Sequence, residues 1–278
     1  MNKHKPRLLQ SLFQTVLLVS AIGAQAVFAE TAGDDKEAIQ DSIVRYKSAI
    51  GANPKNPTNY LKLGRSYLMS GNLDGAMENF KQTIKLSPDE ADAYAGLSRV
   101  YLRKGDLNQA IANEREAIKR APNDAEYHYR LALLLVRFQT TEEAIKEFQQ
   151  AVKLDPNNAA AHKDLGAAFG IAGDIDREIE EEQKALALKP NDADALYYLG
   201  NGFANKGDVK QANTYLSRSV KLDPTNADAL HYLSGVCAAQ GNFPDAIRYA
   251  ESAVKLAPDN KSYRETLQKI KTVSQSKK

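Results

Sequence analysis

The sequence predicts an all-α chain of tandem helix pairs, and three observations carry that expectation. Pro54, Pro88, Pro122, Pro156, Pro190, Pro224 and Pro258 recur every 34 residues without slippage. Gly71, Gly105, Gly173, Gly207 and Gly241 keep one phase of the same register, broken only by Gln139, and Leu63, Leu97, Leu131, Leu165, Leu199 and Leu233 keep another. Between these markers the apolar residues recur at three- and four-residue spacing, which is the period of a helix face. A fixed period of this length is the signature of a stacked repeat architecture rather than of two ordinary domains.

Residues 1–29 stand apart from the repeat. Lys3, Lys5 and Arg7 make a positive start, Leu8 to Gly23 is uncharged and mostly apolar, and small residues follow up to Ala29. That order is the pattern of a secretory signal peptide, with cleavage expected before Glu30. The rival reading is an uncleaved anchor, since the uncharged run from Leu8 to Ala29 is long enough to span a bilayer. Its three glutamines and its small-residue exit favour cleavage. Removal of the leader lowers 37 basic residues to 34 against 35 acidic ones, so the net charge becomes −1. A charge that close to zero argues against steering toward nucleic acid or an anionic membrane.

Residues 30–56 read as a short linker and a half-repeat helix, and 57–260 as six full units. Within 91–122, Tyr94, Leu97, Val100 and Tyr101 form one apolar stripe and Ala110, Ile111, Ala117 and Ile118 a second. Gly105-Asp106 separates them, because glycine closes a helix in the left-handed conformation. Pro122 bars continuation of the second helix, and Asp124 offers a side-chain cap to the next. Gly64, Ser98, Ala132, Gly166, Gly200 and Ser234 lie beside the leucine column, where small side chains let paired helices approach. Residues 261–278 read as a polar capping helix and tail.

These residues resemble the tetratricopeptide repeat family, a 34-residue helix–turn–helix unit. Tyr60, Leu63-Gly64, Tyr67, Ala76, Phe80 and Pro88 carry the resemblance in the first unit. Leu165-Gly166, Phe169, Gly173, Ala185 and Pro190 carry it in the fourth. The resemblance implies a right-handed α-solenoid of six helix pairs, with a half repeat before it and a capping helix after it. It also implies a non-catalytic scaffold that binds a protein or peptide partner along a concave face lined by the first helix of each unit. With the leader, the expectation is an exported protein, periplasmic in a Gram-negative bacterium and otherwise secreted, without membrane insertion after cleavage. The alternatives are a membrane-tethered scaffold in an envelope assembly, secretion or polysaccharide-export machine, and a carbohydrate-binding module suggested by Tyr129, Tyr197, Tyr198 and Tyr232.

Little in the chain suggests catalysis, a cofactor or a metal. A single cysteine, Cys237, excludes an intramolecular disulfide and reads as a buried small hydrophobe. His128 and His162 occupy equivalent places in neighbouring units and read as packing residues, too far apart for one metal ion. Glu114 and Glu182 stand in the column of Phe80 and Phe148, and Glu178 in an alanine column. The reading is a shallow contact with a Lys or Arg beside each glutamate, and a solvated outer face for the run Glu178 to Glu182. A perturbed carboxylate pair in a closed cleft is what would reopen an enzymatic reading. Asn260-Lys261-Ser262 is a glycosylation sequon, relevant only in a eukaryotic secretory host.

Placing each unit on the family frame gives the candidate groove. Arg65, Arg99, Arg103, Arg137 and Lys163 make its N-terminal half basic. Tyr129, Tyr197, Asn201, Asn205 and His231 make the remainder aromatic and amide-rich. Arginine fixes carboxylates bidentately, and tyrosine and arginine are enriched at binding hot spots. No catalytic, cofactor or metal residues are assigned.

Overall fold

The computed structural model describes residues 35–276, so the expected leader at 1–29 lies outside the described residues. Those residues form two compact units, 35–156 and 157–276. The first holds α1 (Asp35–Ala52), α2 (Pro57–Met69), α3 (Leu73–Leu86), α4 (Ala91–Arg103), α5 (Leu107–Arg120), α6 (Ala125–Arg137) and α7 (Thr141–Leu154). The second holds α8 (Ala159–Ala172), α9 (Ile175–Leu188), α10 (Ala193–Asn205), α11 (Val209–Leu222), α12 (Ala227–Ala239), α13 (Phe243–Leu256) and α14 (Lys261–Ser276). There is no strand among the described residues. Helices pack in consecutive pairs, so the chain is an all-α solenoid as expected.

Local chemistry explains the punctuation. Asn56, Asn72, Asp106, Asp124, Asn158, Asp174, Asp192, Asp208, Asn226 and Asn242 each accept a backbone N–H at the start of a helix. That satisfies one of the donors a helix start leaves orphaned. The turn inside each pair needs a left-handed residue. Gly71, Gly105, Gly173, Gly207 and Gly241 supply it at φ between 78° and 82°. Gln139 holds the same position at φ 63°, the one described non-glycine residue with positive φ. The seven prolines of the 34-residue register lie in the turns between pairs. Their carbonyls are used as acceptors: Tyr60 Oη donates to Pro54 O at 3.0 Å, Tyr94 Oη to Pro88 O at 3.2 Å, and His128 Nε2 lies 3.1 Å from Pro122 O. Polar-tipped rings therefore fill this column in the first unit because each ties a helix to the turn before it.

One column forms the spine of each core. Phe80 and Phe148 are fully buried in the first unit, with Glu114 between them in register, and Leu216 is fully buried in the second. Small residues make room for them. A Cβ on Gly64 or Gly96 would fall 2.8 or 2.6 Å from the Phe80 ring, and one on Gly200 2.7 Å from Leu216 Cγ. The expectation of close approach at Gly64, Gly166 and Gly200 is met, and at Gly166 the neighbour is the Glu182 side chain at 2.9 Å.

Candidate functional site

The inner-face candidates divide sharply between the two units. The first helices of the first unit, α2, α4 and α6, carry Lys62, Arg65, Arg99, Arg103, Arg130 and Arg137 against Asp92 and Glu126. Their counterparts α8, α10 and α12 carry Lys163 against Asp164, Asp194 and Asp228. The basic character expected of the N-terminal half is thus confined to the first unit, apart from Lys163.

In the first unit the arginines sit at different depths and with different partners. Arg65 Nη2 pairs with Asp92 Oδ2 at 2.7 Å, and Asp92 also accepts from Tyr127 Oη at 3.1 Å. Arg103 Nη1 donates to Leu68 O at 2.6 Å, tying α4 back to α2. Arg130 Nε lies 3.3 Å from Glu126 Oε1 and 3.5 Å from Glu114 Oε1, with its guanidinium 5.1 Å from the Tyr127 ring centre. Arg99 and Arg137 are exposed. Partial desolvation, then the charges of Arg130, Arg103 and Arg65, depress the affinity of Arg99 for its proton, while Glu114 acts in the opposite sense. Arg99 thus sits among like charges, of which Arg65 and Arg130 already have carboxylate partners.

Beneath this cluster lies Glu114, only 1% exposed. Burial is the main cause that lifts its pKa to about 7; Arg130, a Ser98 hydrogen bond and Arg99 oppose the rise and Glu126 adds to it. The expectation of a paired Glu114 is met by Arg130, although Oε1 receives no hydrogen bond.

The aromatic half is different from the open face expected. Tyr129, Tyr197, Asn201 and His231 are all buried. Tyr129 lies 5.9 Å from Phe148, centre to centre. Tyr197 meets Tyr198 at 5.0 Å and Tyr232 at 5.8 Å, and His231 meets Tyr232 at 5.7 Å. Rings this large gain more from packing against one another than from lying in water. The capping helix completes the cover: Tyr263 on α14 stacks on His231 at 4.8 Å and donates to Asp228 Oδ1 at 2.5 Å. Tyr198 and Tyr232, the further tyrosines behind the carbohydrate alternative, are buried as well. Asn205 remains exposed, with its amide 3.3 Å from Asn201 Oδ1, and Lys163 is half-buried 3.6 Å from Asp194.

Two sequence expectations on α9 are corrected. Glu178, Glu181 and Glu182 are buried, and only Glu180 of that run faces solvent. Neither Glu182 oxygen has a hydrogen-bond partner, and Glu178 Oε2 has none either, so no basic residue is paired with them as expected. The reason lies in neighbouring glycines. A Cβ on Gly170 would fall 2.8 Å from the Glu178 carboxyl carbon and one on Gly202 3.4 Å from it. Burial alone pushes the Glu178 carboxyl up to about 8, and burial, then Glu178 and Asp164, push Glu182 well above the usual range. Both carboxyls are thus biased toward the protonated form inside a packed core, with exposures of 2% and 0%.

His128 and His162 act in packing. His128 Nδ1 lies 2.7 Å from Glu147 Oε2 and His162 Nδ1 2.6 Å from Glu181 Oε2, the same contact in two repeats. Cys237 is buried, and desolvation raises its thiol to about 11, far from a reactive thiolate. No cluster of three or more potential metal ligands occurs among the described residues. No helix among the described residues is long and apolar enough to cross a membrane.

Comparison with known proteins agrees with the repeat geometry. A tetratricopeptide repeat model matches residues 67–134 and 203–270, and a TPR repeat model matches residues 140–173. No curated protein matches the chain. Among solved structures, PilF of Pseudomonas aeruginosa is similar at 20% identity, covering 77% of this chain and 97% of its own, with a TM-score of 0.67. YrrB, a TPR protein with an unusual peptide-binding site, is similar at 24% identity over 67% of this chain and 96% of its own, TM-score 0.60. MamA of Desulfovibrio magneticus is similar at 22% identity over 62% and 98%, TM-score 0.57. These likenesses are of fold. Seven prolines in one register, glycine-closed helix pairs and repeat models matched in both units make the chain a member of the tetratricopeptide repeat family.

Proposed function

We propose that the protein is an exported, non-catalytic scaffold that binds an extended peptide or protein segment on the first-helix face of residues 35–156. Tetratricopeptide repeats are protein-interaction modules, and YrrB, similar in fold, has a peptide-binding site. The observation that carries the reading is the concentration of arginine on α2, α4 and α6, with Arg99 and Arg137 exposed and Arg99 set among like charges. Such a face is electrostatically complementary to an anionic partner. Arg65, Arg99, Arg103 and Arg137 are the residues assigned to it. Export rests on the positive head, apolar middle and small-residue exit of residues 1–29.

Site-specific photo-crosslinking in the native host tests the surface. A crosslinker at Arg99 or Arg137 is expected to capture a partner that the same group at the exposed Lys81 or Arg115, on the second helices, does not. Capture only from the second-helix positions would reverse the assignment. N-terminal sequencing of the mature protein tests export: a start at Glu30 is expected, and retention of Met1 to Ala29 would make the protein membrane-tethered instead.

A further inference from the structure

We infer that the arginine face of residues 35–156 is a proton-linked site for acidic peptide segments, with Arg99 as its central anion contact and Glu114 as the buried group that sets its charge. This deepens the binding reading above and rests on it. The geometry has three parts. First, Arg65, Arg99 and Arg130 come from three successive first helices of one compact unit, and Arg99 feels the charge of both others and of Arg103. Second, the carboxylates already present show what these guanidinium groups accept. Asp92 holds Arg65 at 2.7 Å and Glu126 holds Arg130 at 3.3 Å, while among the described residues no carboxylate lies within ion-pair distance of the exposed Arg99. Third, Glu114 lies beneath the cluster 3.5 Å from Arg130 Nε, buried and with Oε1 lacking a hydrogen bond.

The carboxyl of Glu114 can therefore hold either of two states. Ionised, it neutralises part of the arginine charge from below. Protonated, it leaves that charge to the surface. The groups that face it are Ser98 and Arg99 from α4, and Arg130 and Glu126 from α6. Because burial lifts its pKa to about 7, the two states exchange near neutrality. An incoming carboxylate on Arg99 favours the protonated state, so binding takes up a proton and tightens as pH falls. The ligand's own carboxylates, with ordinary pKa values near 4, stay ionised over the same range.

Isothermal titration calorimetry on the full chain with a hexa-aspartate peptide tests this. Wild type is expected to bind about fivefold to tenfold more tightly at about pH 6 than at about pH 8, and to take up protons on binding in buffers of different ionisation enthalpy. Glu114→Gln should keep the tight affinity at both pH values and lose the proton uptake, which separates Glu114 from any contribution of His128. Arg99→Gln should weaken binding at both pH values while circular dichroism stays unchanged. A pH dependence that survives in Glu114→Gln would overturn the linkage. Equal affinity in Arg99→Gln, or tighter binding of a short oligothymidylate than of hexa-aspartate, would overturn the site. If crosslinks from Arg99 and Arg137 still capture a partner while hexa-aspartate does not bind, the acidic ligand falls and the binding surface stands. If neither occurs, both fall.

Discussion

Gln139 is the clearest test of local rules at the level of a single residue. It occupies the turn position that glycine fills in the other five units, with φ of 63°. A residue with a Cβ pays about 1–2 kcal/mol there, against roughly 0.5–1 kcal/mol of extra chain entropy lost by glycine. Gln139→Gly should therefore stabilise the first unit by up to about 1 kcal/mol, read as a higher urea midpoint with unchanged slope. A lower midpoint would mean that the glutamine side chain makes a compensating contact. Tyr263 gives a test of opposite sign. Its ring stacks on His231 and its hydroxyl donates to Asp228, and the residue is buried. Tyr263→Ala should cost about 3–5 kcal/mol and expose α12 amides to hydrogen exchange before those of α8.

At the scale of an element, α9 departs from its counterparts, and its departures are matched by its neighbours. The first unit pairs Leu68 with Ala76, Leu102 with Ala110 and Val136 with Ala144, at the positions that here hold Gly170 and Glu178. A large residue moved from one helix of the pair to the other, and the carboxyl of Glu178 now occupies the space that Gly170 and Gly202 leave. Gly170→Leu alone should clash with Glu178 and destabilise the second unit by about 2 kcal/mol or more. Gly170→Leu combined with Glu178→Ala restores the pairing of the first unit. The two changes should show a favourable coupling of about 1–3 kcal/mol in a double-mutant cycle by urea unfolding, and additive effects would deny that the pair co-varies in space. The same element shows where sequence reading stops. Helix pairs were legible because their signals are local: Asx caps, left-handed glycines and prolines each act within a few residues. The arginine face was legible because exposed charges on one helix side need no partner to be recognised. The burial of Glu178 and Glu182 depends on glycines of α8 and α10, and the burial of Tyr197 and His231 on packing with α12 and with the capping helix α14, contacts that no local pattern announces.

For the whole molecule, these buried groups predict an unusual dependence of stability on pH. The folded chain raises the pKa of Glu114 to about 7 and of Glu178 to about 8, and raises Glu182 well above the usual carboxylate range, by burial first and by Glu178 and Asp164 next. A raised carboxyl favours the protonated form in the fold. Its contribution is fully present below the unfolded value near 4.5 and is lost as pH climbs through the folded value. A single group moved to about 8 costs roughly 3 kcal/mol at pH 7 by this linkage. His231 acts from the other side. Burial lowers it to about 4, with Asp228 opposing, so its contribution is present above 6.5 and is lost as pH falls toward 4. Three carboxyls outweigh one imidazole, so stability should already decline above about pH 5 and go on falling up to about pH 8. Thermal midpoints measured between about pH 5 and 9 should show that decline. Glu178→Gln with Glu182→Gln should flatten that decline, since the amides carry no charge to be expelled, and His231→Phe should steepen it below about pH 6.5. A midpoint that rises from pH 6 to 8 would show that the carboxyls ionise in place without penalty, and that water reaches a core the packing closes.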